Sequence, residues 1–271
     1  MTTEGLKLTV AALPENLAVV RQALAGFAEG IGFDDSAIAN IKTIVTEASM
    51  NAVVHAKPQD GTGPIEVTAT PRTDDLEITV RDRGVGFQPH PAQPGDEGLR
   101  IGLPLIATLS DGFEITGVAG GGTEVRMHLD YERSNGDRPS PDATLPATVG
   151  TVMTVAPGEL ARGVLSRVIS ALATRADFSI DRLSDTVLLG DAVSAHDASV
   201  FEGGAVGLEI LDGDGRLDVR IGPLVEGGSE RILEGLELPG GASLRKLANE
   251  VEIERGEGSG DQEYLRVVID R

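Results

Sequence analysis

Apolar and polar residues alternate through Leu6–Ala12 (LKLTVAA), the period of a strand buried on one face. Pro14 then opens a stretch of helical period that stops near the glycines at 30 and 32. Asp34, Asp35 and Ser36 offer caps for a second helix running through Ala56. Within it Ile41, Ile44, Val45, Ala48 and Ala52 fall on one stripe, the side that would face a core. Alternation returns in Ile65–Thr70 and Leu76–Arg81, with Pro71 and Asp74-Asp75 marking a turn between them. A glycine-rich loop leads to a helix near Gly102–Leu109, and strands Phe113–Val118 and Glu124–Leu129 follow. The predicted order is βααββαββ.

Residues 132–148 (ERSNGDRPSPDATLPAT) are polar, proline-rich and without period, which predicts a linker. After it the order begins again. Thr151–Ala156 is strand-like, and Pro157 opens a helix carrying Leu160, Val164 and Val168. Phe178 precedes a helix over Asp181–His196, residues 208–221 (LEILDGDGRLDVRI) read as a hairpin, Leu244–Asn249 as helix and Tyr264–Ile269 as strand. Pro14 matches Pro157, Phe33 matches Phe178, and the HLD ending at Asp130 matches the VID ending at Asp270. Recurrence of one element order predicts a duplication: a domain over 1–131, the linker 132–148, and a second domain over 149–271. Alternating strands imply sheets covered by helices on one face only. The expected class is α+β, two tandem two-layer α/β sandwiches, each a mixed sheet with helices on one face.

Composition narrows the chemistry. The net charge of −20 argues against direct nucleic-acid binding, which needs Lys and Arg to displace counterions from phosphates. With no cysteine, disulfides, thiolate metal sites and a cysteine nucleophile are excluded. No stretch approaches the ~18 apolar residues of a membrane span, and the N-terminal residues show no secretory pattern, so the expectation is a cytoplasmic protein.

The polar residues of the second helix carry the candidate chemistry. Glu47, Asn51 and His55 are spaced by four and form a row beside the core stripe. A carboxylate and an amide ~6 Å apart on such a row can share a cation or a water, and an ordinary polar helix edge has the same spacing. DRGVGF (82–87) follows a strand, which places Asp82 at a strand end, where open α/β sheets meet ligands. Asp82 there can accept a hydrogen bond from an amine such as that of adenine, or simply make a tight turn with Gly84 and Gly86. QPHPAQPGDEGLRIGLPLI (88–106) ends in glycines at 98 and 102 ahead of a helix, a setting suited to phosphate. GGGTEV (120–125) adds a tight loop and Thr123 at the start of a strand.

In this order, E-x₃-N-x₃-H, D-x-G-x-G-F, G-L-x-x-G-L and G-T resemble the GHKL ATPase superfamily with its Bergerat-like fold. More narrowly they resemble the bacterial anti-sigma-factor serine/threonine kinases, over most of residues 6–130. The pattern of a P-loop is absent. The resemblance implies ATP and Mg²⁺ as cofactors. It casts Glu47 as the base that polarises the attacking hydroxyl and Asn51 as the Mg²⁺ ligand, with His55 near the phosphates. Asp82 would bind the adenine amine with Thr123 assisting through a water. Gly84 and Gly86 would shape the adenine pocket, and Gly98 and Gly102 would line the phosphates, with Leu103 beside them. Arg100 stands where many relatives have glycine, and would either stabilise charge at the γ-phosphate or crowd the pocket. Arg83 is expected to face solvent.

The resemblance further implies a protein partner, a STAS-type anti-anti-sigma factor or a sigma factor. It leaves open a nucleotide-binding module without phosphoryl transfer, and a histidine-kinase-type ATPase domain. It also implies a homodimer, unless the second domain replaces the second subunit and makes a monomeric pseudo-dimer. The second half lacks the motifs. Ala192 and His196 stand about where Glu47 and Asn51 stand, Pro223 replaces Asp82, and Gln262-Glu263 occupies the place of the G-T pair. It reads as a degenerate copy. DGDG (212–215) lacks the later ligands of a calcium loop and reads as a hairpin turn. His90 and His128 show no partner pattern and are expected in a loop and on a strand face.

Overall fold

The structure is a computed structural model that describes residues 5–55, 63–84, 99–118, 121–130, 150–234, 244–256 and 262–271. The expected linker 132–148 therefore lies outside the described residues. The chain divides into two compact units between Gly136 and Asp137.

The first unit runs β1 (Leu6–Ala11), α1 (Leu17–Gly30), α2 (Asp35–His55), β2 (Pro64–Pro71), β3 (Asp75–Asp82), α3 (Leu99–Leu109), β4 (Gly112–Gly117) and β5 (Thr123–Asp130). Pro14 starts not an α-helix but a single 3₁₀ turn, Pro14–Asn16, that leads into α1. Asp34 caps α2 by accepting the Ala37 N–H through Oδ1 at 2.8 Å. The strands lie in the order β4-β5-β3-β2-β1. Every neighbouring pair is antiparallel, which corrects the expected mixed sheet. The reason is parity. With two helices between β1 and β2 the chain turns back three times, an odd number, so β2 returns antiparallel to β1. The single crossover through α3 does make β3 and β4 parallel, but β5 inserts between them and opposes both.

One face of this sheet is the core. Leu6, Leu8, Val10, Ile65, Val67, Leu76, Ile78, Val80, Val125 and Met127 are buried there. The helices bring Val20, Leu24, Phe27, Ile41, Ile44 and Val45 to it, each large side chain contributing ~1.5–3 kcal/mol by burial. The other face is charged: Arg72–Glu77 meet at 2.6 Å and Arg126–Glu124 at 2.7 Å. His128 is on this strand face as expected, but it has a partner, Asp75, at 2.6 Å. The pair is far apart in sequence and meets only through the β3–β5 register.

The second unit runs β6 (Thr151–Val155), α4 (Glu159–Arg175), α5 (Ile180–Ser194), β7 (Val206–Gly213), β8 (Arg216–Leu224), α6 (Gly228–Glu234), α7 (Leu244–Leu247), β9 (Glu250–Arg255) and β10 (Glu263–Asp270). Its strand order, β6-β7-β8-β10-β9, repeats the first unit's path, again with antiparallel pairs throughout. The sequence reading missed α6 and β9 and carried α5 two residues too far. DGDG is a hairpin turn, with Asp214 and Gly215 both at positive φ, and Arg175 grips the Asp212 carboxylate at 2.5 and 2.6 Å.

Two local motifs occur once in each unit. After α1, Gly32 N–H donates to Glu29 C=O and Phe33 N–H to Ala28 C=O, the paired bonds of a Schellman cap. After α4, Asp177 N–H donates to Thr174 C=O and Phe178 N–H to Ala173 C=O, with Phe33 and Phe178 both buried. Ahead of the fourth strand of each unit the pattern also recurs. Asp111 N–H donates to His128 C=O while the Asp111 carboxylate accepts the Asp130 N–H. Asn249 N–H donates to Val268 C=O while its amide oxygen accepts the Asp270 N–H.

Candidate functional site

β3 presents Leu76, Ile78, Val80 and then Asp82 on its buried side. A carboxylate thus ends an otherwise apolar row and points toward the helix layer, at 5% exposure. Burying it there is costly unless donors meet it. One is local: Oδ1 accepts the Gly84 N–H at 2.7 Å, closing a turn immediately after the strand. Arg83, between them, turns outward as expected, 65% exposed at its side chain, and bridges Glu66 at 2.6 Å.

The loop ahead of β5 lies directly on this turn. Val118 N–H donates to Gly122 C=O and Gly121 N–H to Val118 C=O, so the chain reverses tightly. Gly122 holds φ +105, and a Cβ built on it would stand 2.1 Å from the Asp82 carbonyl oxygen. Only glycine allows that approach. Thr123 follows as the first residue of β5, half-buried and opposite Gly117, one position before Glu124 pairs with Arg81 beside Asp82. Sequence reading marked a tight loop here without identifying Gly122 as its contact with Asp82. The run of three glycines was the available signal.

α2 packs on β3, the strand that ends in Asp82, and on α3. Ile41, Ile44, Val45, Ala48 and Ala52 are buried as the stripe predicted. Glu47 and Asn51 are half-buried at its margin. His55 is the last residue of α2, and its side chain lies outside the described residues. Arg100, Gly102 and Leu103 belong to α3, Leu103 half-buried, with the Arg100 side chain outside the described residues. Gly86, His90 and Gly98 also lie outside them.

Among the described residues no three His, Asp or Glu side chains cluster as a metal cage. Among the described residues no helix is long and apolar enough to cross a membrane.

The comparisons with known proteins bear on this same region. Residues 10–129 match the family described as histidine kinase-like ATPase domain. The chain is 33% identical over 135 residues to serine-protein kinase RsbW of Bacillus licheniformis, covering 45% of this chain and 84% of that protein. The chain belongs to this family. It is also 34% identical to RsbW of Oceanobacillus iheyensis, over 41% of this chain and 77% of that one. Anti-sigma F factor of the same organism is 27% identical, over 48% of this chain and 94% of that one.

The second unit of this family member lacks the constellation. Ala192 is fully buried in α5, and His196 falls beyond the helix end, where burial lowers its affinity for a proton against the pull of Asp197. On the buried side of β8 Ile221 pairs with Leu208, and Pro223 follows, half-buried, where the alternation breaks at the buried Gly222. Neither side chain can accept a hydrogen bond. Near the place of Thr123, Glu263 accepts the N–H groups of Gly227 and Ser229 at 3.1 and 3.2 Å.

Proposed function

We propose that the first unit is an ATP-dependent serine/threonine protein kinase of the anti-sigma-factor type, and that the second is a duplicated copy without a nucleotide site. The observation that carries this is Asp82, a carboxylate on a core-facing row with a backbone donor on one oxygen and the Gly121-Gly122 loop against its main chain. An exocyclic amine of adenine supplies the further donor such a group needs. Thr123 would assist through a water, and Gly84 and Gly86, having no side chains, are suited to shape the adenine pocket.

Phosphoryl transfer is then a matter of placement and charge. Glu47 takes the proton of the attacking hydroxyl as its oxygen bonds to the γ-phosphorus and the bond to ADP breaks. Asn51 would hold Mg²⁺, which would supply positive charge against that of the phosphates. His55, Gly98, Gly102 and Leu103 complete the phosphate end, and Arg100 stabilises charge at the γ-phosphate. The relatives' names, serine-protein kinase and anti-sigma F factor, support a protein partner, and the partner in this reading is a STAS-type anti-anti-sigma factor or a sigma factor. Recurrence of the strand path, the Schellman cap and the Asp111/Asn249 turn supports duplication. With its own second copy in the chain, the protein is expected to sediment as a monomer.

Labelled ATP incubated with the protein and a purified STAS-domain anti-anti-sigma factor tests the reaction. Wild type transfers label, and Glu47→Ala reduces transfer by ~10²–10⁴-fold while ADP still binds. ADP binding with no transfer by wild type would instead favour a nucleotide-binding regulator.

A further inference from the structure

The placement of Glu47 restricts where a protein substrate can lie. A serine hydroxyl stands two bonds from its own Cα, and a base must come within ~2.6–3.2 Å of it. The substrate backbone therefore passes within about one helical turn of Glu47, over side chains ~5–6 Å away along α2. On one side of Glu47 those neighbours are Ile44 and Ala48, both buried and closed to a macromolecule. On the other it is Met50, exposed by 39%, with Val54, exposed by 51%, one turn further along the same strip.

This outward strip of α2 has an unusual composition for a chain of net charge −20. Beyond its first turn, which holds Asp35 and Ser36, the sector between Lys42 and Glu47 around the helix carries Ala39, Thr43, Thr46, Met50, Val53 and Val54 and no charge. Its two hydroxyls already donate their protons within the helix. Thr43 donates to Ala39 C=O at 2.9 Å and Thr46 to Lys42 C=O at 2.6 Å, within their own helix. What the strip offers outward is methyl groups, a thioether and a valine.

We infer that Met50 and Val54 form the docking surface for the acceptor segment of the protein substrate, gripping apolar side chains that flank the serine or threonine to be phosphorylated. The inference rests on the assignment of Glu47 as the base. It commits to one occupant because the strip continues directly from that residue. Selection of the substrate at this point is apolar, so it is insensitive to salt, unlike steering by charge.

The chain has no cysteine, so Val54→Cys introduces a single thiol that accepts a photo-crosslinker. Thr73→Cys, on the exposed β2–β3 turn, serves as control. The probe is a purified STAS-domain anti-anti-sigma factor with ATP and Mg²⁺. The expected result is a crosslink from position 54, near the phosphorylated residue, and none from position 73. In parallel, Met50→Glu combined with Val54→Glu should lower kcat/KM for protein phosphorylation by roughly tenfold or more through KM, with ADP affinity unchanged. Unchanged ADP affinity also shows that the double variant is folded. Wild-type phosphorylation by that variant, or a crosslink from position 54 only to a second copy of the chain, would overturn the inference and leave the kinase intact. Loss of the kinase reading shows differently: wild type then transfers no label, and the inference falls with it.

Discussion

Two residues show how much a single backbone position decides. Gly122 is held at φ +105 against the Asp82 carbonyl oxygen. Gly122→Ala meets a backbone penalty of at least ~1–2 kcal/mol before the clash is counted. It should lower thermal stability and abolish ADP binding, since the displaced atoms are those of Asp82, the proposed acceptor for adenine. A variant that melts and binds like wild type would show that the loop does not support the site. Asp177 illustrates the opposite case. It holds φ +58 at the Schellman position that Gly32 fills in the first unit. Asp177→Gly should stabilise the second unit by ~0.5–1 kcal/mol by relieving that conformation, read as a small rise in its melting temperature. Asp82, Glu47 and Asn51 were legible because their motifs are local in sequence. The His128–Asp75 and Glu263–Gly227 contacts were not, because each joins residues that only strand pairing or chain reversal brings together.

At the scale of elements, legibility followed burial. α2 and β1 to β3 announce themselves because one face is buried and the other is not, so period 3.6 or 2 is written into the residues. β9 is an edge strand in which Glu250, Glu252 and Glu254 leave little apolar signal, a composition that also discourages pairing with another chain. α6 is seven residues long, too short for a period to register. It is held in place from β10, where Glu263 accepts two N–H groups at its start. Burial raises the affinity of the Glu263 carboxyl for a proton, but these N–H bonds and the charge of Arg255 outweigh it and hold the group below the ordinary glutamate range. A depressed folded value means the ion binds more tightly in the folded state. Its contribution is therefore complete above the unfolded value and disappears as pH falls through the folded one. Glu263→Gln should melt below wild type at neutral pH, with the gap closing as pH drops below the ordinary glutamate range. A gap independent of pH would mean that shape, and not charge, anchors α6.

For the whole molecule, the decisive comparison is between the two units. Both follow one strand path, share the cap after the first helix and share the turn ahead of the fourth strand, so the frame is the same. The differences include the places where nucleotide chemistry would occur, along with the short helices α6 and α7 where the first unit has α3. Glu47 faces Ala192 across the comparison, Asp82 faces Ile221 or Pro223, and Thr123 faces Glu263, whose carboxylate already fills the local donors. A frame kept by its apolar core tolerates such losses, because burial and capping stabilise the fold without any of the polar site residues. Nucleotide stoichiometry follows from this. Calorimetric titration with ADP should give one site per chain. Asp82→Asn keeps an oxygen for the Gly84 N–H, so the turn survives, but it replaces the charged acceptor with an amide that cannot mimic it on both sides. That variant should lose nucleotide binding altogether while its melting temperature in the absence of ligand stays close to wild type. A second site per chain, or binding that persists in the variant, would return the second unit to the nucleotide-binding members of the family.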